Sequence, residues 1–312
     1  MQSALNAPHL RNEEAAIAYV EAQLWPAGPV CPHCGAIDEA TKLKGKSTRP
    51  GLWKCRACRK PFTVRMRTIF ESSHVPLHVW LQVMYLFCSS KKGISTRQIQ
   101  RTLGGSMKTA WFLGHRIRLA MDGSSGTGPM GGPGKIIEAD ETFITRSPKT
   151  RRPKDAPPRE SRQVLSLVER GGHLRSVFLD HNTVAPALYR HIAPGTSRLV
   201  TDGAMHYKGF LFAERHESVD HSKGEYVRGD VHTNTLEGFF SVFKRGLVGV
   251  YQHMSEAHLH RYLAEFDFRR NNRERLGIDD KTRADRALKA VAGKRLTYQT
   301  TRRQIALDEI PF

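Results

Sequence analysis

Apolar residues recur at helical spacing within residues 1–30 and 77–121, and beyond residue 134 the pattern changes to strands alternating with helices. Ala15, Ile17, Ala18, Val20 and Leu24 follow acidic residues and stop at "WPAGP", which predicts a helix within residues 1–30. "PLHVWLQVMYLFCSS" is apolar on most faces and reads as a buried helix, with Cys88 as an ordinary core thiol. Ile94, Ile99 and Leu103 mark a further helix. Gly104-Gly105 breaks it, and another helix starts at Ser106, carrying Lys108, His115, Arg116 and Arg118 around Trp111, Phe112 and Leu119. Helix, short glycine turn, basic helix is a helix-turn-helix pattern, and it nominates Lys108, Arg116 and Arg118 as DNA contacts.

"DGSSGTGPMGGPG" (122–134) reads as a flexible linker. The pattern beyond it changes. Strands are expected at 135–144, 162–170, 174–180, 197–203 and 216–222, with Gly171-Gly172 turning the second into the third. Helices are expected at 184–192, at 205–215, from about Thr235 to Lys244 or beyond, and at 256–273. "RSPKTRRPKDAPPRE" (146–160) reads as a basic, proline-rich loop. Three antiparallel strands followed by strands alternating with helices predict an α/β domain, a mixed sheet with helices packed on it.

Charge narrows the function. The 312 residues carry 49 Lys+Arg against 30 Asp+Glu, a net charge of +19. An excess this large points to a polyanionic partner, and nucleic acid fits better than a membrane because no basic amphipathic anchor stands out. No apolar run reaches the length of a membrane span, and residues 1–30 lack the layout of a signal peptide, so the expected location is the cytoplasm.

The five cysteines form two pairs and a remainder. Cys31, Cys34, Cys55 and Cys58 follow C-x2-C-x20-C-x2-C. Four thiolates at this spacing can close a tetrahedral site, which predicts a structural Zn²⁺ with no open position for a substrate.

Asp140 lies near the end of the first predicted strand, Asp202 directly follows "RLVT", and Glu237 opens a helix. Three converging carboxylates need a cation, and hard oxygen ligands select Mg²⁺ or Mn²⁺. Each residue alone also has a bland reading. Asp140 could be solvated, Asp202 a turn residue, and Glu237 the partner of Asn234 in a helix cap. Asn234, Glu237, Ser241 and Lys244 share one helix face, spanning roughly 80° at ~100° per residue. Such a stripe suits a helix facing a phosphate backbone, or simply a solvated face.

These residues resemble a known family. "CPHCG", "WKCRACRKPFTV", "IEADETFI", "LVTDGAMHYKG", "HTNTLEGFFSVFKRG" and "SEAHLHRYLAEFDFRRNNR" look like DDE-type insertion-sequence transposases of the ISXO2-like type, which carry an N-terminal zinc ribbon. The resemblance implies a ribonuclease-H-like catalytic domain with Asp140, Asp202 and Glu237 as Mg²⁺ ligands. In this family the third ligand is sometimes an Asn, which keeps Asn234 open beside Glu237. It also implies that Lys244 and Arg245 hold DNA phosphate. The zinc ribbon and helix-turn-helix would read terminal inverted repeats, and the protein would be a dimer or larger assembly on double-stranded DNA. Thr145-Arg146 stands where relatives more often carry Tyr-Ile-Gly-Gly, which changes the loop and not the chemistry.

The expected organisation is a helical segment (1–30), a zinc ribbon (31–70), a helix-turn-helix region (71–121), the linker (122–134), the catalytic domain (135–273) and a basic C-terminal tail (274–312) without an assigned role. An inactive DNA-binding protein, a transcription regulator and a ribonuclease-H-like nuclease are the alternatives. The intact acidic set, the long segment after the linker and the N-terminal DNA-reading modules disfavour them in turn.

Overall fold

Asn12 starts the first long helix by accepting a hydrogen bond from the Ala15 N–H, and Glu13 and Glu14 sit at its positive end. The computed structural model describes residues 3–123, 128–144, 162–179, 184–204, 207, 209–252 and 254–297. Two compact units emerge, Met1–Met121 with Glu274–Phe312, and Asp122–Arg273. The second is thus inserted into the sequence of the first. The basic loop at 146–160, Thr145-Arg146 and residues 298–312 lie outside the described residues.

The first unit begins with α1 (Glu13–Leu24) and a three-stranded antiparallel sheet of β1 (Ala40–Lys42), β2 (Trp53–Cys55) and β3 (Pro61–Phe62). Its local core is small: Phe62, Cys31 and Cys55 with Trp25 and Trp53 against them. Next come α2 (Leu77–Ser89), α3 (Thr96–Leu103) and α4 (Met107–Met121). Gly104 and Gly105 take φ of 74° and 81°, values that residues with a Cβ avoid, so this pair makes the α3–α4 turn.

The second unit contains β4 (Ile136–Ile144), β5 (Arg162–Glu169), β6 (Leu174–Leu179), α5 (Val184–His191), β7 (Thr196–Asp202), β8 (Ala213–Val219), α6 (Asn234–Gly246) and α7 (Glu256–Asn271). Its sheet has the order β6-β5-β4-β7-β8. β4 is antiparallel to β5 and parallel to β7, and β8 is parallel to β7. This is the mixed sheet of a ribonuclease-H-like fold. Alternate residues of β4 and β5 feed two cores. Ile144, Val164 and Val168 join Leu236, Phe239, Phe243, Leu263 and Phe266 from α6 and α7. Ile137, Ala139, Leu165 and Leu167 join Val184 and Leu188 of α5 on the other face.

Several expectations change here. The linker is shorter than its composition implies. Met130 is buried and exchanges hydrogen bonds with the α5 end: its N–H donates to the His191 carbonyl and its carbonyl accepts from the Ala193 N–H, both at 2.7 Å. The expected helix at 205–215 is not formed by its described residues. Phe210 is buried, Leu211 exposed and Phe212 half-buried, and β8 already begins at Ala213. That alternation is the period of a strand.

Two proposed DNA contacts are also corrected. Arg116 and Arg118 are 5% and 2% exposed. The Arg116 guanidinium donates to the carbonyls of Ile69 (2.8 Å), Glu71 (2.9 Å) and Leu296 (3.1 Å). The Arg118 guanidinium lies 5.2 Å from the Phe87 ring centre. The helix buries Ala110, Leu113, Ile117 and Ala120, and only its first turn, with Lys108, is exposed.

The segment after 273 is more than a tail. Its α8 (Asp280–Lys289) packs on α2 and α1. Arg283 donates to the Cys88 carbonyl at 2.6 Å, and Ala287, Leu288, Val291 and Leu296 are buried. Arg116 joins this returning strand of chain to residues 69–71. Arg116→Ala leaves two buried carbonyls and one half-buried carbonyl without their donor, so it should destabilise the first unit by about 2–4 kcal/mol. Thermal denaturation checks this, with Lys108→Ala expected to change stability by under about 0.5 kcal/mol.

Candidate metal and catalytic sites

The two cysteine knuckles close on each other. Cys31 Sγ lies 3.6 Å from Cys58 Sγ, and Cys34 Sγ lies 3.7 Å from Cys55 Sγ. All four sulfurs fall within 4.8 Å of one another. A tetrahedron with metal–sulfur bonds of ~2.3 Å has edges of about 3.8 Å, so the set fits a tetrahedral ion. The knuckle backbone prepares it. The Cys58 N–H points at Cys55 Sγ from 3.5 Å. Burial alone would raise the Cys31 thiol, but N–H donors of His33 and Cys34 bring it down to about 6. A thiol that ionises readily is a better metal ligand.

The acidic residues come from three elements. The β4–β7 ladder ends at Glu138↔Val200, and continuing that register sets Asp140 level with Asp202 on neighbouring parallel strands. The Asp140 carboxylate accepts from the Glu141 N–H at 2.8 Å, and Asp202 accepts from the Ala204 N–H at 3.1 Å. Burial raises the Asp140 carboxyl to about 7, with further upward pushes from Asp202, Glu141 and Glu237. Asp140 therefore feels both other members of the proposed set. Their oxygens do not form one tight cluster. Among the described residues, the four cysteines are the group of metal-ligating side chains whose ligand atoms close to 4.8 Å.

Glu237 is not a capping partner. Thr233 occupies the N-cap without a side-chain cap bond, and Asn234 is the first helical residue. The Glu237 carboxylate, 44% exposed, lies 3.6 Å from His221 Nε2. Asn234, Glu237, Ser241 and Lys244 are all exposed, so the polar stripe exists as a surface. Arg245 is exposed as well, although its Nε donates to the Ser241 carbonyl at 3.0 Å.

Other residues at this edge were not singled out by the sequence. Glu138 is fully buried and binds Arg170 Nε at 2.8 Å. Tyr207, buried on the opposite sheet face, donates to Glu141. Strand alternation puts Glu138 on the Asp140 face, but nothing local marks Arg170, His221 or Tyr207 as partners of that edge.

Asp140 gives a pH signature. Its folded-state value of about 7 lies above the ordinary 3.8, so between these values the folded protein holds a proton that the unfolded chain has lost. The stability from this group is full below pH 3.8 and is lost as pH rises past about 7. In metal-free protein, Asp140→Asn should therefore raise stability at pH 8 by on the order of 1–3 kcal/mol and lose that advantage near pH 4. Denaturant titrations at the two pH values check the sign.

Residues 131–271 match the model of the ISXO2-like transposase domain, and residues 11–61 match that of a transposase zinc-ribbon domain. An uncharacterized protein in transposable element ISH50 of Halobacterium salinarum is 29% identical, covering 79% of this chain and 86% of that protein. The crystal structure of the Mos1 strand transfer complex is similar at 11% identity and a TM-score of 0.26, over 74% of this chain and 78% of that one. Residues 131–271 thus belong to the ISXO2-like transposase domain family, behind a transposase zinc-ribbon match at residues 11–61 in the expected order.

Proposed function

We propose that the protein cleaves DNA at the ends of its mobile element and joins the freed 3′-OH ends to target DNA. The observation that carries this reading is the level placement of Asp140 and Asp202 on adjacent parallel strands, with the Glu237 charge felt at Asp140. Asp140 and Asp202 would hold divalent metal, with Glu237 as the third ligand in preference to Asn234, since an exposed carboxylate is a stronger ligand for a hard cation than an amide oxygen. Mg²⁺ or Mn²⁺ bound there would supply charge neutralisation and an activated nucleophile, first water and then the 3′-OH.

The remaining groups bind and orient. Lys244 lies two turns along α6 on the Glu237 face and would hold a phosphate as a point charge, with Arg245 beside it. The four cysteines would hold Zn²⁺ as a structural cross-link for a ribbon whose own core is small. Lys108, at the exposed start of α4, is the surviving member of the proposed recognition set; Arg97 and Arg101 on α3 are exposed near it in sequence. These modules would read terminal inverted repeats, with phosphate contacts giving affinity and base contacts giving sequence. Holding two element ends together calls for at least a dimer on DNA.

Cleavage and strand transfer with end-containing DNA test the centre. Asp202→Ala should lower both by at least about 10³-fold while end binding stays within about threefold. Activity in that variant would overturn the assignment. Glu237→Gln should lose cleavage more severely than Asn234→Ala, and the reverse order would make Asn234 the ligand. Stripping the cysteine-bound metal with a chelator should abolish specific end binding and release close to one zinc per chain, measured with a colorimetric indicator.

A further inference from the structure

Glu138 is a buried charge beside the proposed centre that the reaction does not use. It lies two residues before Asp140 on β4 and on the same sheet face, and its side chain is 0% exposed. A carboxylate in such a place is costly unless its oxygens are answered; here Oε1 carries the partners, while Oε2 is buried without a hydrogen bond. Arg170 Nε answers Oε1 at 2.8 Å, and the Thr235 hydroxyl donates to the same oxygen at 3.1 Å. His232 Nδ1 stands 3.8 Å from it. Arg170 also donates through Nη2 to the His232 carbonyl at 3.1 Å.

The partners of Glu138 therefore flank Asn234. One is the side chain just after it, and the other is tied to the backbone two residues before it. Behind them, Asp230 is gripped by both arms of Arg198, which also pairs with Glu217 on β8. This matters because α6 lacks the usual device for fixing its start. Thr233 stands at the N-cap and makes no side-chain cap bond, and its buried hydroxyl has no partner. The first turn of α6 is held to the strand that carries Asp140 by Glu138.

We propose that Glu138 is a positioning residue, which through Thr235 and Arg170 fixes the first turn of α6 against β4 and so sets the separation of Glu237 from Asp140 for a divalent ion. It does not contact the ion or the DNA. The proposal rests on the metal-dependent reading of the centre, so its test includes one measurement that needs no metal.

Thr235→Val removes only the hydroxyl link, and Thr235→Ser keeps it. Glu138→Gln keeps the shape and an acceptor oxygen but removes the charge opposite Arg170. In the full chain, amide hydrogen exchange at residues 235–238 should quicken about tenfold in Thr235→Val, with the melting temperature of the metal-free protein within about 2 °C of wild type. The Kd for Mn²⁺, read directly by electron paramagnetic resonance, should rise about 10- to 100-fold in Thr235→Val and Glu138→Gln, as when outer partners of metal ligands are removed. Cleavage at low Mg²⁺ should fall by a similar factor and recover within about threefold at saturating Mg²⁺, and Thr235→Ser should restore all three readouts.

Unchanged exchange in Thr235→Val overturns the clamp itself. A lower melting temperature with unchanged Mn²⁺ affinity also overturns it, because Glu138 then only stabilises the fold. If wild type shows no Mn²⁺ binding that Asp140→Asn removes, the metal-dependent reading fails, and the proposed role toward the ion fails with it.

Discussion

Asp140 and Asp202 sit level just past the end of the β4–β7 pairing, and keeping like charges there costs free energy that the second unit must offset. Carboxylates held close and partly out of water raise each other's proton affinity, as burial and the Asp202 and Glu237 charges do to Asp140. Only a rigid frame can maintain such a set. The frame is a sheet packed on both faces, with Ile137, Ala139, Leu165 and Leu167 driven into one core and Ile144, Val164 and Val168 into the other. Apolar burial of this extent, at about 25 cal/mol per Å², far outweighs a few kcal/mol of repulsion. Centres of this kind are affordable because the scaffold is stable without them.

The first unit solves a different problem. Its three-stranded sheet has strands of two or three residues and a core of a few side chains, too little to fold by burial alone. Two features compensate. One is the cysteine tetrahedron, a set that fits a tetrahedral ion. The other is the returning chain after residue 273, which lays Ala287, Leu288, Val291 and Leu296 into the helical core and accepts Arg116 at Leu296. Residues far apart in sequence thus share one unit, with the whole sheet domain inserted between them.

Much of this was legible in the sequence because the signals were local. Strand alternation, the Gly171-Gly172 turn and the cysteine spacing depend on neighbouring residues, and the strands and helices around Asp140, Asp202 and Glu237 stand close to where the pattern puts them. What was missed depends on distant partners. Arg116 and Arg118 look like a basic recognition face until backbone carbonyls and Phe87 enclose them. The last segment looks like a basic tail until α2 receives it. Met130 reads as linker because glycines surround it, while its binding partner His191 lies far along the chain. The 205–215 error differs: Phe210, Leu211 and Phe212 are all apolar, so their sequence shows no alternation and only their burial marks the run as extended.

The start of α6 ties these themes together. A Glu in the first helical turn could have been consumed in capping its own backbone, which would turn its carboxylate away from the sheet. Here the Thr233 carbonyl takes the Leu236 and Glu237 N–H groups, and Glu237 keeps its carboxylate outward near His221. The helix field favours an acid at this end and Lys244 and Arg245 at the other, each by about 0.3–1 kcal/mol. One helix therefore carries an exposed carboxylate at its start and two cations at its end, without working against its own dipole. What the helix cannot supply is its distance from β4. That distance is set by contacts outside the helix, among them the bond from the Thr235 hydroxyl to Glu138 on the strand that carries Asp140.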